Sequence, residues 1–233
     1  MDKLTLRLII YSIFLVMCLV TLILRLTQSN QIYMLYEFEY YAFFGALIYY
    51  LLMFIMDLLR KITNKTCDKV VEFFNQKFFR FVWTLCLTAA LGFWGGVTFG
   101  WTRKSIPEGL PVYLMLFLHG ILQLMLIVDL FLFNHTLQTS YLIDIAVLSI
   151  LYVAYSIFII IKKYCFTVNG LYPFVSQSFD YLLVVGIVYY MLMLNMYFLH
   201  QFLLMKKLKI SFGTTTVSEK SKTTKNGKTE TFI

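Results

Sequence analysis

The chain has 233 residues, of which 60% are hydrophobic and 14% are charged, and its formal net charge is +8 at pH 7. Soluble domains typically carry about 25% charged residues, so this composition excludes an ordinary water-soluble domain and favours a chain embedded in lipid. The four cysteines include no CxxC pair, and their spacing predicts neither a zinc site nor a disulfide framework.

Six stretches of the sequence are apolar over nearly the length that a transmembrane helix requires. A bilayer core of about 30 Å needs roughly 20 apolar residues, because a helix rises 1.5 Å per residue. The first stretch follows Lys3 and Arg7 but lacks a small-residue cleavage pattern, so it is interpreted as a retained anchor and not as a signal peptide. The predicted spans are residues 8–24, 40–56, 81–101, 111–133, 141–161 and 181–205.

These spans predict an all-α fold, a polytopic transmembrane helix bundle that occupies residues 1–205. With six spans both termini lie on the same side of the membrane. Of the 20 Lys and Arg residues, 15 fall on that side, and the positive-inside rule therefore places both termini in the cytosol. The opposite side keeps only Arg25, Arg103, Lys104, Lys162 and Lys163. In this orientation the basic residues between spans two and three, Arg80 among them, are expected to lie against anionic lipid headgroups.

Residues 206–233 form a basic tail that is rich in Ser, Thr and Lys, and this composition predicts a disordered cytosolic segment. The chain ends in Glu230-Thr231-Phe232-Ile233. A hydroxyl residue two positions before an apolar C-terminus is typical of peptides that PDZ domains bind as an added strand. Thr231 and Ile233 are therefore the predicted partner-binding residues, with a PDZ-domain protein as the partner.

Span four carries His119 and Gln123, whose i, i+4 spacing puts both side chains on one face of a helix. Polar groups in hydrocarbon are costly, so both residues are candidates for a site, although a hydrogen bond between helices is an open alternative. Glu37 and Glu39 flank span two on the lumenal side of the membrane, the side from which His119 is reached. A carboxylate there could hold the imidazole in one tautomer or accept a proton itself. Asp129 and His200, near span ends, are expected at the headgroup region.

The pattern of residues excludes several other functions. No nucleotide-binding, zinc-protease or α/β-hydrolase motif occurs, so neither a metal nor another cofactor is predicted. The positive charge is accounted for by the loops on one side of the membrane, and nucleic acid is not expected as a partner.

Three short motifs match a known family: Leu118-His119-Gly120 in span four, Asp57 at the end of span two, and Gly170-Leu171-Tyr172-Pro173-Phe174 before span six. With the six-span plan they resemble the androgen-induced protein family, which includes the androgen-dependent TFPI-regulating protein. The resemblance implies hydrolysis of fatty acid esters of hydroxy fatty acids, with an intramembrane threonine as nucleophile and a histidine in span four. At the positions of that threonine and that histidine this chain has Glu39 and Leu122, so both catalytic residues of the family are missing here.

The leading hypothesis is a lipid-handling membrane protein of this kind, in the endoplasmic reticulum or the plasma membrane, with a membrane lipid or fatty acid ester as ligand. Either His119 acts as the base with an unidentified nucleophile, with His119 and Glu39 as the catalytic candidates, or the scaffold has lost the reaction and keeps a lipid pocket, to which Gln123 and Glu37 would contribute. A non-catalytic membrane adaptor with a PDZ-type C-terminus is the alternative. A transporter or channel ranks last, because most span centres are apolar.

Overall fold

The computed structural model describes residues 2–27, 38–64, 68–98, 112–133, 135, 141–165 and 179–226. Within these ranges the chain forms helices and no strand, as the composition predicts. The helices are α1 (Lys3–Leu26), α2 (Phe38–Thr63), α3 (Asp68–Phe73), α4 (Phe79–Thr98), α5 (Val112–Leu116), α6 (Leu122–Leu132), α7 (Tyr141–Cys165) and α8 (Phe179–Asn226).

Two π-helical turns connect helices without a break in the helical backbone. Phe74–Phe78 joins α3 to α4, and Phe117–Ile121 joins α5 to α6. The residues on either side of each turn keep right-handed helical dihedral angles, so each joined pair is one continuous rod.

Five of the described helices are long and apolar enough to cross a membrane, which makes the chain an integral, multi-pass membrane protein. They cover the first, second, third, fifth and sixth predicted spans. In the fourth predicted span, residues 111–133, the described apolar helix Phe117–Leu132 is shorter. The five long segments are Lys3–Leu24, Phe38–Thr63, Lys69–Gly95, Tyr141–Ile161 and Leu183–Lys207.

The third of these segments is the centre of the bundle. Half of its most apolar stretch is buried, against 11% in α7, whose apolar side chains face outward as lipid-facing residues do. α4 packs against α8 more extensively than any other two described elements pack together, and it also packs closely against α2. Tyr11, Tyr49, Tyr50 and Trp83 are fully or almost fully buried between α1, α2 and α4. Aromatic side chains are therefore found in the core of the bundle as well as on its lipid-facing surface.

Gly92 sets the separation of α4 and α8. A Cβ atom built on Gly92 would lie 2.5 Å from the Tyr189 ring on α8, closer than any real Cβ contact. The absence of a side chain at Gly92 therefore permits the close contact of the two helices. At Gly95, one turn away, no atom of the described residues lies within 4 Å of such a Cβ.

The helical backbone of α8 continues to Asn226, across the segment whose composition favours disorder. Because Ser and Thr are only moderate helix formers, propensity alone does not account for a helix there. The disordered tail stays a prediction. Thr231 and Ile233, the predicted partner-binding residues, lie outside the described residues.

Candidate functional site

His119 lies in the π-helical turn between α5 and α6 and is buried. Its ring stacks on Phe93 of α4, with the ring centroids 3.7 Å apart and the planes nearly parallel. The Trp94 indole N–H donates a hydrogen bond of 2.8 Å to the His119 carbonyl. Two neighbouring residues of α4 therefore fix both the ring and the backbone of His119.

Glu39, in the first turn of α2, is next to the His119 ring. The distance from His119 Nε2 to Glu39 Oε2 is 3.6 Å, slightly longer than a hydrogen bond. The His119 side chain is 3% exposed and that of Glu39 is 20% exposed, so the imidazole is buried and the carboxylate is partly accessible. The structure thus brings together the two residues that the sequence proposes for catalysis, which are 80 positions apart.

The other ring nitrogen of His119, Nδ1, has no hydrogen-bond partner among the described residues. A neutral imidazole has one donor and one acceptor nitrogen, so a proton on Nε2 would face the Glu39 carboxylate. The pair could then hold the imidazole in that tautomer. It could also transfer a proton to or from a molecule bound beside Glu39.

The π-helical turn explains how His119 reaches this position. The Leu122 amide bonds to the Phe117 carbonyl, five residues back, and the wider turn rotates His119 relative to a regular helix. Single π-helical turns occur frequently at functional sites. No feature of the sequence pattern indicated this turn, because hydrophobic periodicity does not distinguish it from a regular one.

Gln123 connects two helices. Its side-chain N–H groups donate to the carbonyls of Cys86 at 3.2 Å and Leu118 at 2.8 Å. The first of these bonds ties α6 to α4, which is the packing role that the sequence left open. Its proposed role in a substrate pocket stays a prediction.

A cavity of about 480 Å³ opens beside Glu39. On α7 its lining extends from Ser149 to Ile160, which is about 16 Å of helix at 1.5 Å per residue. The walls are largely aliphatic and aromatic, and Glu39 is the charged residue among them. The side chains come from the start of α2, the middle of α4, and the facing sides of α7 and α8, including Phe38, Ala89, Val153, Leu183, Tyr189 and Met193.

The hydroxyl groups of the cavity wall bond within the protein. Thr88 and Ser156 donate to the carbonyls four residues back on their own helices, as expected for threonines of span three. Ser149 donates to the Ile145 carbonyl, and its oxygen lies 2.7 Å from the Tyr190 hydroxyl. Tyr152 donates to the Gly186 carbonyl on α8. None of these hydroxyls is hydrogen-bonded to an imidazole in the described part of the chain.

Other residues singled out in the sequence are not part of this site. Leu122, which stands at the family's histidine position, is buried in the main core. Asp57, one of the family motifs, pairs with Arg7 of α1 at 2.6 Å. Glu37 and the run from Gly170 to Phe174 lie outside the described residues.

Two residues expected at the headgroup region are inside the bundle. Asp129 is fully buried and accepts a hydrogen bond of 3.0 Å from the Tyr11 hydroxyl. His135 Nε2 lies 3.6 Å from the same carboxylate. His200 is 2% exposed and its ring lies 5.5 Å from that of Trp83. Position near a span end did not predict exposure, because neighbouring helices cover both side chains.

The expectation that Arg80 lies against lipid headgroups was wrong. Arg80 is fully buried and forms an ion pair with Asp144 of α7, which also accepts a 3.0 Å hydrogen bond from the Tyr197 hydroxyl of α8. Asp144 lies within the fifth predicted span. Because a carboxylate inside a span usually pairs with another polar group, its position in the sequence could have indicated a buried partner.

No family model, curated protein or solved structure matches the chain.

Proposed function

We propose that this chain is a lipid-handling membrane protein that binds an amphiphilic lipid in the cavity between α2, α4, α7 and α8. The lipid chain lies along α7 and α8, and its polar head is held at the Glu39–His119 pair. The observation that carries this proposal is the cavity itself: its wall is largely apolar and contains the Glu39 carboxylate, which lies 3.6 Å from the His119 imidazole.

The size and chemistry of the cavity support this ligand class. Small-molecule sites are typically about 300–1,000 Å³, mostly apolar, with a few polar groups that fix the orientation of the ligand. A length of about 16 Å suits an extended alkyl chain better than a compact polar metabolite. The Glu39 carboxylate accepts hydrogen bonds, so it favours a head group with hydroxyl, amide or ammonium donors.

The proposal includes the six-span topology with both termini in the cytosol, in the endoplasmic reticulum or the plasma membrane. The helical backbone from Val112 to Leu132 supports a fourth crossing, because 21 residues at 1.5 Å each extend about 30 Å. Glycosylation mapping at sites introduced into each predicted loop tests this topology. A glycan accepted between spans four and five would contradict it.

Hydrolysis of a fatty acid ester is the second candidate function, and the proximity of Glu39 and His119 favours it. A Ser or Thr nucleophile needs a base within hydrogen-bond reach. The cavity hydroxyls of Thr88, Ser149 and Ser156 instead donate to helix carbonyls. Water is therefore the proposed nucleophile. The Glu39–His119 pair accepts its proton as the new carbon–oxygen bond forms at the acyl carbon, the bond from that carbon to the ester oxygen breaks, and the pair returns the proton to this oxygen, so that the products are the fatty acid and the hydroxy fatty acid.

Photocrosslinking tests the binding proposal directly. Purified protein is incubated with a fatty acid ester of a hydroxy fatty acid that carries a diazirine on its alkyl chain. Val153→Trp fills the cavity, whereas Ile150→Trp adds the same bulk on the outward face of the same helix. We expect Val153→Trp to weaken saturable labelling about tenfold, which corresponds to about 1.4 kcal/mol, and Ile150→Trp to leave it unchanged. Equal labelling of both variants would contradict the proposal.

Turnover of the same ester without the diazirine tests the catalytic candidate. We expect no labelling by a fluorophosphonate probe, because water and not a serine or threonine attacks. Any turnover should be lost in both Glu39→Gln and His119→Ala. Turnover that survives both substitutions would exclude this pair as the catalytic base.

The adaptor with a PDZ-type C-terminus remains the alternative. Pull-down with the last four residues deleted tests it, and a partner retained by the truncated protein would exclude Thr231 and Ile233 as its site.

A further inference from the structure

A polar stripe runs along the contact between α4 and α8. On α4 it consists of Arg80, Trp83 and Thr84, which share a face because they are three and four residues apart. On α8 it consists of Tyr197, His200 and Gln201. All six side chains are buried. The stripe is separate from the Glu39–His119 pair, and neither candidate function uses it.

Two members of the stripe contact a carboxylate of the protein. Arg80 is paired with Asp144, and Tyr197 donates to the same carboxylate. The ion pair therefore brings no uncompensated charge to the stripe. The remaining members of the stripe are Trp83, Thr84, His200 and Gln201.

Six polar atoms of these four residues are buried and have no hydrogen-bond partner among the described residues. They are Trp83 Nε1, Thr84 Oγ1, both ring nitrogens of His200, and both side-chain amide atoms of Gln201. Buried polar atoms in folded proteins are nearly always bonded to protein or to water, and the requirement is stricter inside a membrane. A group of six at one helix contact therefore indicates a bound polar species.

The atoms identify the class of that species. Trp83 Nε1 is a donor only, the Gln201 amide offers both donors and an acceptor, and the Thr84 hydroxyl serves as either. An anion would leave the Gln201 amide oxygen and the acceptor nitrogen of a neutral His200 ring without a donor, and a cation would leave the Trp83 indole N–H without an acceptor. Water suits it, because one buried water molecule typically makes about three hydrogen bonds and both donates and accepts.

The stripe begins where the lipid cavity ends. Thr88 lines the cavity and donates to the carbonyl of Thr84, one turn along α4. On α8, Met193 lines the cavity and Tyr197 follows one turn later. Both helices therefore continue from the cavity wall directly into the polar stripe.

We propose that α4 and α8 enclose a water-binding pocket at His200, in which water molecules bridge Trp83, Thr84, His200 and Gln201. The pocket extends the cavity deeper into the bundle and lets the His200 ring exchange its N–H proton with water. The charged or titratable groups near it are Arg80 and Asp144, paired with each other, and His135, which stacks on the Phe79 ring that also contacts His200. This inference does not depend on lipid binding in the cavity.

The chain contains a matched pair of residues for the test. Gln123 and Gln201 are both buried side-chain amides in the bundle, but Gln123 donates to two carbonyls whereas Gln201 has no partner among the described residues. Water-edited solid-state NMR on the full-length protein in lipid bilayers measures magnetisation transfer from water to each ¹⁵N-labelled amide. Gln123→Leu and Gln201→Leu assign the two signals by removing them.

We expect the Gln201 amide to receive magnetisation from water several-fold faster than the Gln123 amide. The His200 ring N–H signal, assigned with His119→Asn and His135→Asn, should show the same fast transfer. Equal and slow transfer to Gln201 and Gln123 would overturn the proposal, because it would show that the stripe is dry. If Gln201→Leu fails to fold, the His200 ring signal still decides between the outcomes, because it is the histidine signal that remains when His119 and His135 are replaced.

Discussion

Arg80 and Asp144 form a fully buried ion pair between the start of α4 and the first turn of α7. The pair joins residues 64 positions apart and also receives the Tyr197 hydroxyl of α8. α7 has few other buried contacts, since only 11% of its most apolar stretch is enclosed. The ion pair is thus a main attachment of α7 to the bundle, and α7 forms one wall of the cavity.

Removing one member of this pair should destabilise the protein. Breaking a buried pair leaves an uncompensated charge and costs about 3–5 kcal/mol, so we expect Asp144→Leu to lower the unfolding temperature strongly. The double variant Arg80→Leu, Asp144→Leu should recover much of the loss, because neither charge remains. Thermal unfolding in detergent measures both. Lys77→Ala, at an exposed position close in sequence to Arg80, is the control and should leave the unfolding temperature unchanged. A double variant as unstable as the single one would contradict the prediction.

Gly92→Ala should weaken ligand binding. The new Cβ displaces the Tyr189 ring, which lines the cavity, and the nearest atoms are at the movable end of that side chain. Overpacking typically costs about 1–3 kcal/mol, and we expect a value near the lower end. Photocrosslinking and thermal unfolding measure the two effects. Gly95→Ala, with open space at its Cβ, should change neither, and equal behaviour of the two variants would contradict the close contact.

Glu39→Gln should weaken binding of a lipid whose head group donates hydrogen bonds. The amide keeps the shape of the carboxylate but removes its charge, and hydrogen bonds to charged groups contribute about 1.5–3 kcal/mol against about 1 for neutral pairs. We expect a loss of about tenfold in affinity. Glu72→Gln, on the exposed face of α3, is the matched control. Unchanged affinity in Glu39→Gln would mean that the head group lies elsewhere.

Gln123→Leu should affect stability and not binding. The substitution removes the hydrogen bond from α6 to Cys86 of α4, and such bonds between membrane helices average about 0.6 kcal/mol, with a maximum near 1.7. We expect a small decrease in unfolding temperature with unchanged photocrosslinking. Loss of crosslinking at unchanged stability would instead assign Gln123 to the pocket, as the sequence hypothesis has it.

The approximate positions of the membrane-spanning helices follow from local information. Long apolar runs predict spans because each backbone group in lipid must find its partner within its own helix, and this requirement needs no knowledge of neighbours. Helix α2 and the fifth span lie where the runs 40–56 and 141–161 predict them. The pairing of Glu39 with His119 was also foreseen in part, because costly polar residues inside the membrane are few and must be near one another.

The amino-acid sequence by itself determined that the chain is a multi-pass helical membrane protein with His119 and Glu39 as its candidate polar site. Only the tertiary structure decided that Arg80 is buried against Asp144, that a π-helical turn orients His119, and that α7 and α8 enclose a cavity beside Glu39. Hydropathy depends on composition along the chain, whereas these contacts depend on which helix faces pack together. That choice is made by side-chain shape across residues far apart in sequence.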